Sequence, residues 1–176
     1  MEQVVLVDKQ DTAIGVMEKM EAHQKALLHR AFSVFVFTDD GKLILQQRAM
    51  DKYHSPGLWT NTCCSHPRPG EDLSKAAARR LKEEMGFETI LYKAFDFIYE
   101  ASFDNGLTEH EFDHVFIGYY NGAVVPDPLE VASVDFRSMD TISEQLLTAP
   151  DDFTAWFHIA FPQIRSWWER HHAKQS

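Results

Sequence analysis

Two hydrophobic periods alternate along this chain. Apolar residues at 4–7 and 12–16 flank the polar run Asp8-Lys9-Gln10-Asp11 and predict a pair of strands. The aromatic and β-branched stretch 31–38 continues through Asp39-Asp40-Gly41 into 42–48, which predicts a hairpin. A polar loop follows from Arg48 through Lys52 to Pro56-Gly57. Over 71–85 the period changes: Leu73, Ala77, Leu81 and Met85 recur at i,i+4 and Gly86 follows, which is the pattern of an amphipathic helix with its stop signal. Further strands are expected over 90–99, 113–120 and 131–136. Segments 140–147 and 152–171 read as helices, with Pro162 predicting a kink or break in the second. Strands predominate before a helical C-terminus, so the expected class is α+β.

Composition narrows the picture. With 176 residues, 44% of them hydrophobic and 12% aromatic, the chain holds enough apolar material for one core, and a single domain over 1–176 is expected. A formal charge of −10 argues against nonspecific nucleic-acid binding and against a polybasic membrane anchor. An anionic substrate must then be held by local cations. The longest apolar runs are strand-sized, near 31–37, far short of a membrane span, and the first residues lack a signal-peptide pattern. The two cysteines, Cys63 and Cys64, are adjacent and could pair only through a strained ring. Free thiols, a reducing compartment and a cytoplasmic location are therefore expected.

Candidate chemistry gathers around Trp59-Thr60-Asn61-Thr62-Cys63-Cys64-Ser65-His66-Pro67, placed just ahead of the helix that ends in Arg79-Arg80-Leu81-Lys82-Glu83-Glu84-Met85-Gly86. Counting back from Gly86, Glu83 and Glu84 precede it, Arg79 lies seven residues before it and Glu71 fifteen. This spacing resembles the Nudix box, G-x5-E-x7-R-E-U-x-E-E-x-G-U, whose helical carboxylates hold hard divalent cations against a diphosphate. Two positions depart from it: Ser65 stands at the first Gly, and Arg80 stands where a Glu should follow the Arg. A guanidinium in place of a metal-binding carboxylate leaves diphosphate binding intact and makes diphosphate cleavage doubtful. Arg80 also lies four residues before Glu84, where it either pairs with that carboxylate or clamps a phosphate oxygen.

With these departures the chain resembles the type I isopentenyl-diphosphate isomerase branch of the Nudix superfamily. The likeness runs through 18–23, 28–33, 47–49, 59–67, 108–111 and 154–156. It implies a Nudix-type mixed β-sheet flanked by helices, with an extra N-terminal segment and C-terminal helices. It implies a metal site of His23, His29, His66, Glu109 and Glu111, a mixed nitrogen and oxygen donor set suited to one Mn²⁺ or Zn²⁺. Glu109 and Glu111 alternate with His110, so on a strand both carboxylates share one face. The His23 to His29 interval is six residues, against seven in some members, which predicts a different loop path without loss of either ligand.

The resemblance further implies Cys64 and Glu111 as the proton-transfer groups on opposite faces of an alkene, with Tyr99 assisting Glu111 and Trp156 facing developing positive charge. Cys64 is selected by the Cys-x-His frame, leaving Cys63 to packing. Lys19, Arg48, Lys52 and Arg80 are expected to bind the diphosphate, with Mg²⁺ held through Glu84. The implied partner is a small isoprenoid diphosphate, with no nucleic acid and no membrane, acting on a monomer or weak dimer. His110 and His114 are expected elsewhere, and His171 and His172 in a solvated tail. A Nudix pyrophosphohydrolase and a noncatalytic diphosphate-binding module are the competing readings.

Overall fold

The computed structural model describes residues 1–172. Its centre is a parallel pair of strands, β3 (His29–Phe37) and β8 (Thr108–Tyr119), in register from His29 opposite Glu111 to Phe37 opposite Tyr119. Parallel strands need cover on both faces, and β3 accordingly reads as a continuous apolar run rather than an alternating one. Strand β7 (Tyr92–Ser102) pairs antiparallel with β8 and sets Tyr99 opposite Glu111. On β3, the short strand β6 (Cys63–Ser65) pairs antiparallel and sets Cys64 opposite Ser33. The hairpin of β1 (Gln3–Val7) and β2 (Ala13–Glu18) joins the start of β3 through Leu6 and His29.

The hairpin expected over 31–48 is paired only at its turn. Strand β4 (Lys42–Arg48) meets β3 at Phe37 opposite Leu43 and then diverges to pair with β9 (Val131–Ser138) and β5 (Trp59–Thr60). Both strands are internal, and each takes a longer partner from far along the chain.

Alternate residues of β3 and β8 serve opposite layers. Phe32, Val34, Val36 and Phe116 pack on helix α2 (Leu73–Met85) through Ala76, Ala77, Leu81 and Met85. Phe35, Phe37, Val115 and Ile117 pack on helices α3 (Met139–Thr148) and α4 (Ala155–His172) through Ile142, Phe157, Phe161 and Ile164. Each such side chain contributes about 1.5–3 kcal/mol when fully buried. Along that second face the character then changes: before Phe35 come His29 and Ser33, and before Val115 come Glu109, Glu111 and Asp113. The apolar core stops there and a polar site begins on the same strands.

Local signals explain most element ends. Helix α2 starts one residue after its cap, Asp72, whose side chain accepts the Lys75 N–H, so Glu71 lies outside the helix that the sequence pattern began at 71. A further helix, α1 (Lys19–Gln24), is capped by the Glu18 side chain, which accepts from the backbone of Met20 and Glu21. At six residues it is too short to display a helical period, and the sequence pattern did not announce it. Strands β7 and β8 run beyond the expected 90–99 and 113–120, into the polar residues that form the site.

Of the kink or break expected at Pro162, the break does not occur: helix α4 runs through that residue. The cost of an interior proline, a lost hydrogen bond and a ring clash together worth about 3 kcal/mol, is outweighed by the buried face of Trp156, Phe157, Ala160, Phe161 and Ile164. His171 and His172 are the last turn of α4 rather than a separate tail: His171 is exposed as expected, whereas His172 is partly buried and stacks on Trp168 with ring centroids 4.9 Å apart. Among the described residues no helix is long and apolar enough to cross a membrane.

Gly86 ends α2 in the left-handed conformation at φ 74°, and a Cβ there would lie 2.2 Å from the carbonyl oxygen of Val125. Strain and collision add, so Gly86→Ala is expected to lower unfolding free energy by about 2–4 kcal/mol in urea titration. An unchanged midpoint and slope would contradict this account of the turn.

Candidate active site

Strand register assembles the site. Across β7, β8 and β3 the paired residues Tyr99, Glu111 and His29 form one row, and Glu109 lies two residues earlier on the same face of β8. His23 enters from α1 and His66 follows the end of β6. One donor atom from each of His23, His29, His66, Glu109 and Glu111 falls within 4.8 Å of all the others. Four of the five are almost completely buried, with exposures between 0% and 6%.

Hydrogen-bond directions test whether the cluster fits a cation. His29 Nδ1 lies 2.9 Å from the Leu27 carbonyl oxygen, which can only accept, so this nitrogen carries the proton. In a neutral ring Nε2 then presents its lone pair to Glu111 Oε2 at 3.2 Å. Two lone pairs face each other there, and a cation between them removes the conflict. His23, 1% exposed, has neither ring nitrogen hydrogen-bonded among the described residues. Three imidazoles and two carboxylates converging in this way form a donor set for a divalent transition metal.

The protons the cluster carries without a metal follow from its charges. Burial pushes the Glu109 carboxyl up, and the charge of Glu111 adds to the effect. Burial pushes Glu111 the same way, but the adjoining imidazoles of His29 and His66 outweigh it and hold this carboxyl well below the usual range. Burial would lower His66, yet its hydrogen bond to Glu111, 2.6 Å long, and the nearby charges of Glu111, Glu2 and Glu109 push it up to about 10. His23 falls to about 3 through burial, with the charges of His66 and His29 adding. A divalent cation would replace protons at this site, so its binding competes with them.

A cavity of about 560 Å³ opens beside the cluster, lined by Cys64, Tyr99, Glu109, Glu111 and Trp156 together with Lys19, Arg48, Lys52, Arg80 and Glu84. Strand alternation separates the two cysteines. Cys63 is fully buried against α2, while Cys64 faces the cavity. Asn61 donates its amide hydrogens to the carbonyls of Val34 and Cys63, at 3.0 and 2.8 Å, which turns its oxygen toward the thiol. Cys64 Sγ donates to that oxygen at 3.0 Å and lies 3.5 Å from Ser33 Oγ, which donates to Asp113 at 2.7 Å. Burial pushes the Cys64 thiol far up, the charge of Asp113 adding and the Ser33 and Asn61 hydrogen bonds opposing.

Opposite charges accompany three of the four cations. Lys19 pairs with Glu2 at 2.7 Å, Lys52 pairs with Glu130, and Arg80 pairs with Glu83 and Glu84, each at 2.6 Å. Of the two possibilities open for Arg80, pairing with Glu84 is realised, yet its Nε and that of Arg48 are buried without a hydrogen-bond partner among the described residues. Two unpartnered donors on one cavity are a reason for an anion to enter it. The Arg48 guanidinium lies over the Trp156 ring, 5.3 Å from its centroid. Within the helical motif, Arg79 grips Glu71 with two nitrogens at 2.8 and 2.9 Å, so Glu71 and Arg79 tie the loop to the helix.

Every site residue expected from the sequence is brought to this locus. His110 and His114 face away from it: His110 bonds to the Ala26 carbonyl, and His114 lies 2.9 Å from Asp11. Sequence patterns missed four contributors, namely His54, Asn61, Asp113 and Glu130. Asn61 sits inside the cysteine-bearing run and was within reach. His54 and Glu130 lie in polar connections without period, and Asp113 was read as the start of a strand.

Residues 27–157 match the family model of the NUDIX domain. The isopentenyl-diphosphate Delta-isomerase of Pectobacterium atrosepticum is 48% identical over 174 residues, covering 99% of this chain and 97% of that protein. The protein of the same name from Burkholderia multivorans is 49% identical, covering 96% of this chain and 99% of its own. Among solved structures, DR0079 from Deinococcus radiodurans superposes with a TM-score of 0.70 at 15% identity, over 84% of this chain and 90% of that one. That last likeness is one of fold.

A thiol held neutral alkylates slowly, because the thiolate is the nucleophile. In metal-free protein the iodoacetamide rate at Cys64 is expected to lie well below that of an ordinary cysteine at pH 8 and to be still rising at pH 10. A fast reaction that levels off near pH 8 would contradict the environment described for Sγ.

Proposed function

Because the chain belongs to the NUDIX family and, within it, to the isopentenyl-diphosphate Delta-isomerases, we propose that it interconverts isopentenyl diphosphate and dimethylallyl diphosphate with the residues gathered in this cavity. The observation that carries the reading is one cavity holding Cys64, the Glu111–Tyr99 pair and Trp156 beside Arg48, Lys52 and Arg80. The substrate's alkene is unactivated, so moving its double bond requires a proton to be added at one carbon and another removed two carbons away, through a tertiary carbocation-like state. That calls for an acid and a base on opposite faces of the chain.

Cys64 Sγ serves one face and Glu111 Oε1, through the Tyr99 hydroxyl that it binds, serves the other. Each gives a proton in one direction of the reaction and takes it in the reverse. His29 and His66 engage the second oxygen of Glu111, leaving Oε1 to the proton path. Burial excludes water that would capture a cation, and the indole of Trp156 favours positive charge by about 2 kcal/mol when desolvated, roughly thirtyfold in rate. Arg48 would leave the Trp156 face for the diphosphate, joined by Lys19, Lys52 and Arg80.

One Mn²⁺ or Zn²⁺ held by His23, His29, His66, Glu109 and Glu111 would supply the charge that fixes Glu111 and sets its proton affinity. Mg²⁺ held through Glu84 would offset the charge of the diphosphate. Both cysteines are free, which suits a cytoplasmic enzyme, and one chain carries every residue named, so a monomer suffices.

Arg80 separates this reading from a pyrophosphohydrolase. It engages Glu83 and Glu84, the carboxylates that a hydrolase of this family would use to hold metal and activate water. Incubation with isopentenyl diphosphate in D₂O is expected to yield dimethylallyl diphosphate carrying deuterium, with no phosphate or pyrophosphate released. Cys64→Ala is expected to lose at least roughly 10²- to 10⁴-fold in kcat, and Cys63→Ala to keep most activity. Release of phosphate without the isomer would favour the hydrolase, and a reversed ranking of the two cysteine variants would overturn the assignment of Cys64.

A further inference from the structure

His54 stands in the loop between β4 and β5 and is 5% exposed. Its ring lies flat on Phe103, with centroids 4.9 Å apart and 5° between planes, and meets Tyr53 and Trp156 edge-on at 4.5 and 5.8 Å. Asn105 fastens the loop by donating to the Tyr53 carbonyl at 2.8 Å, and Arg48 donates to the His54 carbonyl at 3.2 Å. The next residue, Ser55, is held in the left-handed region at φ 51°, a conformation that costs a non-glycine residue energy and persists only where its surroundings impose it. The imidazole is thus fixed on several sides. Its Nε2 lies 2.6 Å from Glu109 Oε1.

His54 is not one of the five residues whose donor atoms lie within 4.8 Å of one another. Its ring meets His23 edge-on at 6.1 Å, and its close polar contact with the cluster is Glu109, whose two oxygens are otherwise approached by His23 at 3.7 Å and by the Tyr99 hydroxyl at 3.5 Å. Without His54 the Glu109 carboxylate would keep only the long hydrogen bond from Tyr99 among the described residues to set its rotation. We propose that His54 is a positioning residue of the metal centre, orienting the Glu109 carboxylate so that an arriving cation meets a preset ligand. The proposal rests on the reading of the His23, His29, His66, Glu109 and Glu111 cluster as that centre. Carboxylate ligands to metals are themselves hydrogen-bonded, and loss of such a partner typically weakens metal binding by 10- to 100-fold. The same imidazole touches Trp156, so the metal centre and the aromatic wall of the cavity share one support.

Metal-stripped full-length protein titrated with Co²⁺ against a fluorescent chelator, with the visible d–d spectrum as a second readout, tests this. His54→Phe keeps the stacked ring and removes the N–H; His54→Gln keeps a donor and removes the ring. His54→Phe is expected to bind Co²⁺ about 10- to 100-fold more weakly, His54→Gln to recover most of the loss, and both to show the wild-type spectrum at saturation. Wild-type affinity in His54→Phe, or equal weakness in the two variants, would reduce His54 to packing and overturn the proposal. A changed spectrum at saturation in both would make His54 a direct ligand and overturn it equally. His66→Ala separates the two levels of failure. Tight binding in that variant would remove the metal-centre reading itself, whereas weak binding there with wild-type binding in His54→Phe would remove only the role of His54.

Discussion

Two carboxylates buried on one face of one strand set the terms for the rest of the site. Glu109 and Glu111 are 4% and 6% exposed and project together from β8, where desolvation and mutual repulsion each oppose their charge. Burying even one unpaired ion costs several kcal/mol. The architecture meets that cost by converging groups from five elements. Parallel pairing with β3 supplies His29, antiparallel pairing with β7 supplies Tyr99, and α1, the end of β6 and the β4–β5 loop supply His23, His66 and His54. Protons satisfy this arrangement only in part, since His23 keeps two buried nitrogens without hydrogen bonds among the described residues. A divalent cation satisfies it more fully.

The same strands do two jobs along one face. Phe35, Phe37, Val115 and Ile117 anchor the sheet on α3 and α4, while His29, Ser33, Glu111 and Asp113 line the polar end. Rigid packing at one end therefore holds the geometry at the other. Cys63 and Cys64 repeat the device at the scale of a dipeptide, one thiol in the core and its neighbour toward the cavity. On α2, Arg80 engages Glu83 and Glu84, the carboxylates of the helical motif, each at 2.6 Å. In the proposed function the diphosphate serves as an anchor for chemistry at the other end of the substrate.

What could be read from the chain was whatever depended on local spacing. The i,i+4 recurrence from Leu73 to Met85 and the stop at Gly86 are local, as is the alternation that puts Glu109 and Glu111 on one face. The site residues came mainly through a family likeness carried by dispersed motifs, which supplies a set without its geometry. Nonlocal facts were hidden. The β3–β8 pairing joins His29 to a residue 82 positions away, and no turn signal announces it. The 31–48 hairpin looked regular because its turn is regular, while its strands separate to larger partners. Pro162 read as a kink or break because its effect is local, and the buried face that carries the helix through it is not. His54 lay in a polar loop, and its place is set by nonlocal contacts, Phe103, Trp156 and Glu109 among them.

The central claim, that the buried carboxylate pair is built around a cation, is tested most directly by thermal unfolding of metal-stripped protein with and without added Mn²⁺ or Zn²⁺. An ion that binds only the folded chain stabilises it by about 2.7 kcal/mol at a hundredfold excess over Kd, which for a chain of this length raises Tm by about 5–10 °C. The account predicts that rise in the native protein and its loss in the Glu109→Gln, Glu111→Gln double variant. A native protein whose Tm ignores both ions, or a double variant that responds as strongly as the native protein, would contradict it.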